Sequence, residues 1–196
     1  MRAYFGDLAA LASGAAHSIG PAVDKAARLV ADAALSGRTT FAFGNGGSAT
    51  QAQHFAAELV VRYHGDRPAL PAIALTADVA ILTACANDYD YSIVFSRQIE
   101  ALAKAGDVAV GLTTSGESPN VLKALEAAHV RGLSTIFFTG EKGRAEASSK
   151  AYQVTSLKGH PTSITRADHL SLACRRHYPS FSSGTGFSLS EKAVTL

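Results

Sequence analysis

At 196 residues, 47% hydrophobic and 17% charged, the chain has the size of one α/β domain with a complete core of its own. A net charge of +2, with no Lys/Arg cluster before Arg175-Arg176, argues against nucleic acid as a partner, and no apolar run reaches membrane-spanning length. Cys85 and Cys174 form no disulfide framework and residues 1–7 lack a signal-peptide layout, so a cytoplasmic protein is expected.

An Ala-rich amphipathic helix is expected over the first twenty residues. A second is expected over 22–35, opened by Pro21 in its first turn and stopped by Ser36-Gly37. From residue 39 the pattern alternates. Short apolar or β-branched runs at 39–43, 72–75, 108–112, 134–138 and, more weakly, 152–155 read as buried strands. Helical stretches fill 50–63, 91–105, 120–131 and 144–149. Alternation of this kind predicts an α/β fold, a three-layer αβα sandwich around a five-stranded parallel sheet with an N-terminal helix added. Ligands of such sheets bind at the edge formed by the strand C-terminal ends. From residue 150 the chain turns Ser-, Gly- and Arg-rich, and only 164–176 reads as a helix. No repeat or linker is visible, so 1–196 reads as a single domain whose segment 150–196 is atypical and poorly ordered.

Two strand ends carry matching equipment. In Gly44-Asn45-Gly46-Gly47-Ser48 the glycines let backbone approach a ligand, Ser48 is placed to N-cap the next helix, and Gln51 completes a capping box. In Thr113-Thr114-Ser115-Gly116-Glu117-Ser118-Pro119, hydroxyls and amides share one turn, with Ser118 as N-cap and Pro119 at the first helical position. Either alone is an ordinary turn and cap. Two at one sheet edge describe a phosphate site without Lys or Arg. The spacing is neither that of a dinucleotide fingerprint nor that of a Walker loop.

His54 and Glu58 stand at i and i+4 on the helix that follows the glycine turn. Such a pair on a surface helix adds only slightly to helix stability. Here Phe55, Ala56, Ala57, Leu59 and Val60 imply a mostly buried helix, where an ionisable pair is costly unless it serves a ligand or metal. The carboxylate suits proton abstraction beside a carbonyl, and the pair also forms half of a zinc site. Asn87-Asp88, after the apolar run 80–86, reads as a turn or cap able to hold sugar hydroxyls. Arg62, Arg67 and Arg97 read as solvated or surface-paired, with no assigned role.

These residues together resemble the phosphoheptose (sedoheptulose 7-phosphate) isomerases of the flavodoxin-like sugar-isomerase (SIS) fold. The resemblance rests on Gly44-Asn-Gly-Gly-Ser48, Gln53-His-Phe-Ala-Ala-Glu58, Arg67-Pro-Ala-Leu-Pro-Ala72, Asn87-Asp88, Phe95-Ser-Arg97 and Thr114-Ser-Gly-Glu-Ser118. They stand in the family's order over roughly three quarters of the chain. The resemblance implies a homotetramer with sites between subunits. It implies sugar contacts from Asn45, Gly46, Gly47, Asn87 and Asp88, and phosphate contacts from Ser48, Thr113, Thr114, Ser115 and Ser118. Glu58 would be the catalytic base, moving a proton between C1 and C2 through an enediol. His54 and Glu58 would share a Zn2+ site. The implied reaction turns sedoheptulose 7-phosphate into D-glycero-D-manno-heptose 7-phosphate, the entry to heptose for lipopolysaccharide or related polymers. Non-catalytic relatives, a sugar-phosphate sensor or a replication-initiator-associating protein, are the alternatives, and Glu58 argues against the latter. The tail departs from the family pattern. Arg166-Ala-Asp-His169 stands where Gln-Glu-x-His is expected, and Cys174 where a second His is expected, so the remaining metal and acid positions have no match.

Overall fold

The computed structural model describes residues 2–63, 66–140 and 154–156. Five parallel strands form one sheet in the order β2-β1-β3-β4-β5: β1 Thr40–Gly44, β2 Ala72–Ala74, β3 Val108–Thr113, β4 Ser134–Thr139 and β5 Val154–Ser156. The helices are α1 Arg2–Leu35, α2 Gly47–Val60, α3 Val79–Asp88, α4 Val94–Leu102 and α5 Pro119–Val130, with a 3-10 turn at Tyr91–Ile93. The strand order reverses between β1 and β3. The C-terminal ends of those two strands therefore flank the crevice where open parallel sheets bind ligands.

Period-two alternation divides the strand residues between two cores. Ala42, Val108, Val110, Leu112, Ile136 and Phe138 pack with α1 and α2 through Ala27, Val30, Phe55 and Leu59. Phe41, Phe43, Ala109 and Phe137 pack with α4 and α5 through Phe95, Ile99, Val121 and Leu125. The expected three layers follow directly. Gly111 marks the closest approach of α5 to the sheet, since a Cβ there would lie 3.0 Å from Val121 Cγ1.

The N-terminus differs from expectation: α1 is one 34-residue helix with Pro21 inside it. An interior proline forfeits a backbone hydrogen bond. The helix continues because its C-terminal half is held by burial of Ala26, Ala27, Val30, Ala31 and Ala33. Its expected stop is present. Gly37, at φ 67°, closes a Schellman motif in which Arg38 N donates to Ala33 O at 2.8 Å and Gly37 N to Ala34 O at 3.0 Å.

The apolar run 80–86, expected to end in a turn or cap at Asn87-Asp88, lies in the helix α3. Asp78 opens it by accepting from Ile81 N at 3.0 Å, and Asn87 and Asp88 are its last two residues. Of its side chains only Cys85 is buried. An apolar helix lying on the surface has none of the amphipathic spacing that sequence patterns detect. The expected helix over 91–105 is split into the 3-10 turn and α4. Asp90 caps the turn by accepting from Ser92 N at 2.7 Å. Its bonds to Ser92, helped by Lys123, hold the Asp90 carboxyl below its ordinary range. The cap is therefore complete at neutral pH and is lost only as pH falls through that lowered value. The helices expected at 144–149 and 164–176, and all of 150–196 except Val154–Ser156, lie outside the described residues.

Candidate active site

The glycine turn opens α2 differently from the sequence expectation. The N-cap is Gly46, at φ 54° and ψ −121°, and no side chain caps the helix. Ser48 is therefore not the cap, and no Ser48/Gln51 capping box forms, because the left-handed glycine lets the helix start two residues earlier. The amides of Ser48, Ala49 and Thr50 are already bonded, to Asn45 O at 2.9 Å and to Gly46 O at 3.0 and 3.3 Å. The amides left for an anion are those of Gly46 and Gly47, both exposed and without a hydrogen bond among the described residues. A Cβ on Gly47 would meet nothing within 4 Å.

The second loop is braced from within. Thr113, 4% exposed, directs its hydroxyl to Ser118 Oγ at 2.9 Å and Ser115 Oγ at 3.4 Å, and accepts from Gly116 N at 3.3 Å. Ser118 occupies the N-cap position of α5, but its hydroxyl bonds Thr113 instead of the helix amides. Pro119 takes the first helical position as expected. Thr114 and Ser115 are exposed and Ser118 half-buried, and the Thr113 hydroxyl contacts those of Ser115 and Ser118.

The two loops are tied together. Asn45 Nδ2 donates to Asn120 Oδ1 at 2.9 Å and Asn120 Nδ2 donates to Asn45 Oδ1 at 2.8 Å, 75 residues apart in sequence. Tyr91 OH donates to the same Asn45 oxygen at 3.1 Å. Neither Asn120 nor Tyr91 is distinguished in the sequence, because only the sheet brings the starts of α2 and α5 together. Asn87 and Asp88 stand exposed at the end of α3, bonded to each other at 2.8 Å.

His54 Nε2 and Glu58 Oε1 are 3.0 Å apart on adjacent turns of α2, with side chains 41% and 18% exposed. The helix is less buried than its sequence suggests, since Ala57 and Val60 are exposed. Glu58 keeps the feature that matters: its Oε2 is buried and has no hydrogen-bond partner among the described residues. A buried carboxylate oxygen with nothing bonded to it is costly unless a ligand or metal completes it. The pair fits half of a tetrahedral zinc site. Among the described residues no group of three His, Cys, Asp or Glu gathers, so they supply at most two ligands.

The arginines divide. Arg62 pairs loosely with Asp66 at 3.6 Å, and the Arg97 guanidinium lies 4.5 Å from the centroid of the Tyr89 ring. Arg67 has a role that its sequence context hides. It donates to Leu59 O at 2.8 Å, to Pro68 O at 2.9 Å and to Glu58 O, satisfying carbonyls at the end of the helix that carries Glu58.

Residues 3–140 match the SIS domain family. A phosphoheptose isomerase from Thermodesulfovibrio yellowstonii is 45% identical over 150 residues, covering 76% of this chain and 74% of that protein. Among solved structures, the phosphoheptose isomerase of Neisseria gonorrhoeae superposes with a TM-score of 0.75 at 35% identity, covering 89% of this chain and 92% of that one. That of Francisella tularensis does so with a TM-score of 0.78 at 30% identity, covering 92% and 95%. With the two sheet-edge loops and the carboxylate-bearing helix standing on the same five-stranded frame, the chain belongs to the SIS-domain family, among the phosphoheptose isomerases.

Proposed function

We propose that this protein is an aldose-ketose isomerase that converts sedoheptulose 7-phosphate to D-glycero-D-manno-heptose 7-phosphate, supplying heptose for lipopolysaccharide or a related polymer. The observation that carries this reading is the buried, unbonded Oε2 of Glu58 on the helix that springs from the glycine turn. The phosphate is held by Ser48, Thr114, Ser115 and Ser118 on the frame braced by Thr113. Asn45, Gly46, Gly47, Asn87 and Asp88 meet the sugar. Glu58 takes the proton from C1 of the ketose, and the electron pair forms the C1–C2 double bond of an enediol as the carbonyl oxygen gains a proton. Glu58 then returns its proton to C2, while O1 loses one and becomes the aldehyde. A carboxylate at this position also speaks against a replication-initiator-associating protein. Purified protein incubated with sedoheptulose 7-phosphate and zinc should form the aldose; if no aldose forms, the reading fails.

The protein acts as a homotetramer in the cytoplasm under this reading. Surface apolar groups support assembly: Val79 is 68% exposed and Val61 66%, and α3 leaves most of its apolar side chains uncovered. Glu58 follows Ser48 by ten residues, about 15 Å along α2. That separation suits a long sugar phosphate, or a base supplied to each site by a neighbouring subunit. Among the described residues no helix is long and apolar enough to cross a membrane.

Phosphate binding is tested at the two loops. Gly47→Val should leave thermal stability near the wild-type value, because the new Cβ points into open space, yet abolish measurable sugar-phosphate binding in calorimetry. Ser118→Ala should weaken that binding by about 1 kcal/mol, the scale of one hydrogen bond. Unchanged affinity in both variants would remove the loops from the site.

Zinc, held by His54 and Glu58 and further donors, would polarise the sugar carbonyl when bound. With two donors in place, zinc affinity should fall far below that of a four-ligand site. The second proton-transfer group is sought in the tail, where His169, Cys174 and His177 are the candidates by sequence. If one of them supplies it, that residue's substitution by Ala should lower kcat by ~10²–10⁴. If none does, the chain turns over slowly, and a family-typical C-terminal helix in place of 150–196 should raise the rate. Full activity surviving all three substitutions would place the acid elsewhere.

A further inference from the structure

We propose that Asn120 is a positioning residue, whose amide sets the distance between the sugar-facing glycine turn and the phosphate-facing hydroxyl loop. This rests on the isomerase reading above and extends it to a residue that itself touches no substrate in that reading.

Asn120 is 2% exposed, so a free amide there would be costly. Its polar atoms are all engaged. Oδ1 accepts from Asn45 Nδ2 at 2.9 Å and from Val121 N at 3.0 Å, and Nδ2 donates to Asn45 Oδ1 at 2.8 Å. The reciprocal amide pair fixes both the separation and the rotation of Asn45. The bond to Val121 N fixes Asn120 itself to the first turn of α5, directly behind Ser118. Asn45 and Ser118 stand on different loops and belong to opposite ends of the ligand, sugar and phosphate respectively. No other hydrogen bond among the described residues joins a side chain of the glycine turn to the start of α5. Tyr91 OH completes the saturation of Asn45 Oδ1 at 3.1 Å, leaving the second Nδ2 hydrogen of Asn45 for a sugar hydroxyl. The oxygen of Asn45 is thus spent on orientation, and its role toward ligand is that of a donor.

Loss of this tie should leave each loop intact and disturb their register. In Asn120→Ala, inhibition by inorganic phosphate should stay within about threefold of wild type, because three of the four hydroxyls assigned to phosphate, Thr114, Ser115 and Ser118, stand together on the one loop and a small free ion can settle there without Ser48. The kcat for sedoheptulose 7-phosphate should fall about tenfold, the factor expected for one lost buried hydrogen-bonded partner. Asn45→Ala combined with Asn120→Ala should cost about as much as Asn45→Ala alone, not the product of the two. Tyr91→Phe, a change at an exposed position that spares the fold, should lower kcat by a smaller factor with phosphate inhibition unchanged. Melting curves accompany each variant, and Tyr91→Phe decides the matter if Asn120→Ala does not fold. Wild-type kcat in a folded Asn120→Ala, multiplicative losses in the double variant, or phosphate inhibition weakened in parallel with kcat would each overturn the proposal. If wild type binds the sugar phosphate without converting it, the isomerase reading fails. The positioning role is then judged by the same comparison of sugar-phosphate against inorganic-phosphate affinity. Binding of neither overturns both.

Discussion

Glu58→Gln should still bind sedoheptulose 7-phosphate and should lose solvent exchange of the proton that moves between C1 of the ketose and C2 of the aldose, with turnover reduced by at least ~10²–10⁴. The amide nearly matches the carboxylate in shape and can keep the contact that Glu58 Oε1 makes with His54 Nε2 at 3.0 Å. The fold is therefore spared. What is lost is the buried second oxygen, which has no partner to satisfy and so is available to accept a proton. An amide cannot do so at neutral pH. Deuterium incorporation followed by NMR separates this from a binding defect, and retained exchange would assign the base to another residue. The same variant tests where the base comes from. If each site takes Glu58 from a neighbouring subunit, mixing Glu58→Gln with the binding-defective Gly47→Val should restore partial activity. If each chain serves itself, the mixture stays inactive.

Gly44→Ala should damage the frame of the site severely, although glycine to alanine adds one methyl group. An added Cβ would stand 2.7 Å from Leu112 O and 2.8 Å from Ser48 Cβ. Leu112 O is backbone of the strand residue paired with Gly44, so no flexible side chain can move aside. Overpacking of this kind costs about 1–3 kcal/mol. For a domain of this size the midpoint of thermal unfolding should drop by about 2–4 °C for each kcal/mol. Because the clash lies where β1 delivers the chain into the glycine turn, sugar-phosphate affinity should fall with stability. Gly47→Val, three residues away in sequence, should lose affinity alone. A Gly44→Ala protein with unchanged melting temperature and affinity would show that β1 and β3 can separate at this point without cost.

The parallel sheet, its helical layers and the two sheet-edge loops were legible in the sequence because each rests on short-range chemistry. Buried strands announce themselves as apolar runs, Gly37 as a helix stop, and Gly44-Asn45-Gly46-Gly47 as a glycine turn between strand and helix. The His54/Glu58 pair was legible for the same reason, since i and i+4 share a helix face wherever the helix lies. What the tertiary structure decided concerns partners distant along the chain or competing local options. Pro21 marks a helix start by local rules, yet α1 runs through it because packing of its C-terminal half outweighs one lost hydrogen bond. Ser48 and Ser118 carry the signature of helix caps. Gly46 takes the first position through its positive φ, and the Ser118 hydroxyl turns to Thr113. Helix α3 has no amphipathic period because it lies on the surface, where burial does not select one face. Arg67 reads as a surface cation until the fold brings it to the carbonyl end of α2. Asn120 meets Asn45 only because strand order places β1 beside β3, and a contact across 75 residues leaves no periodic trace in a single sequence.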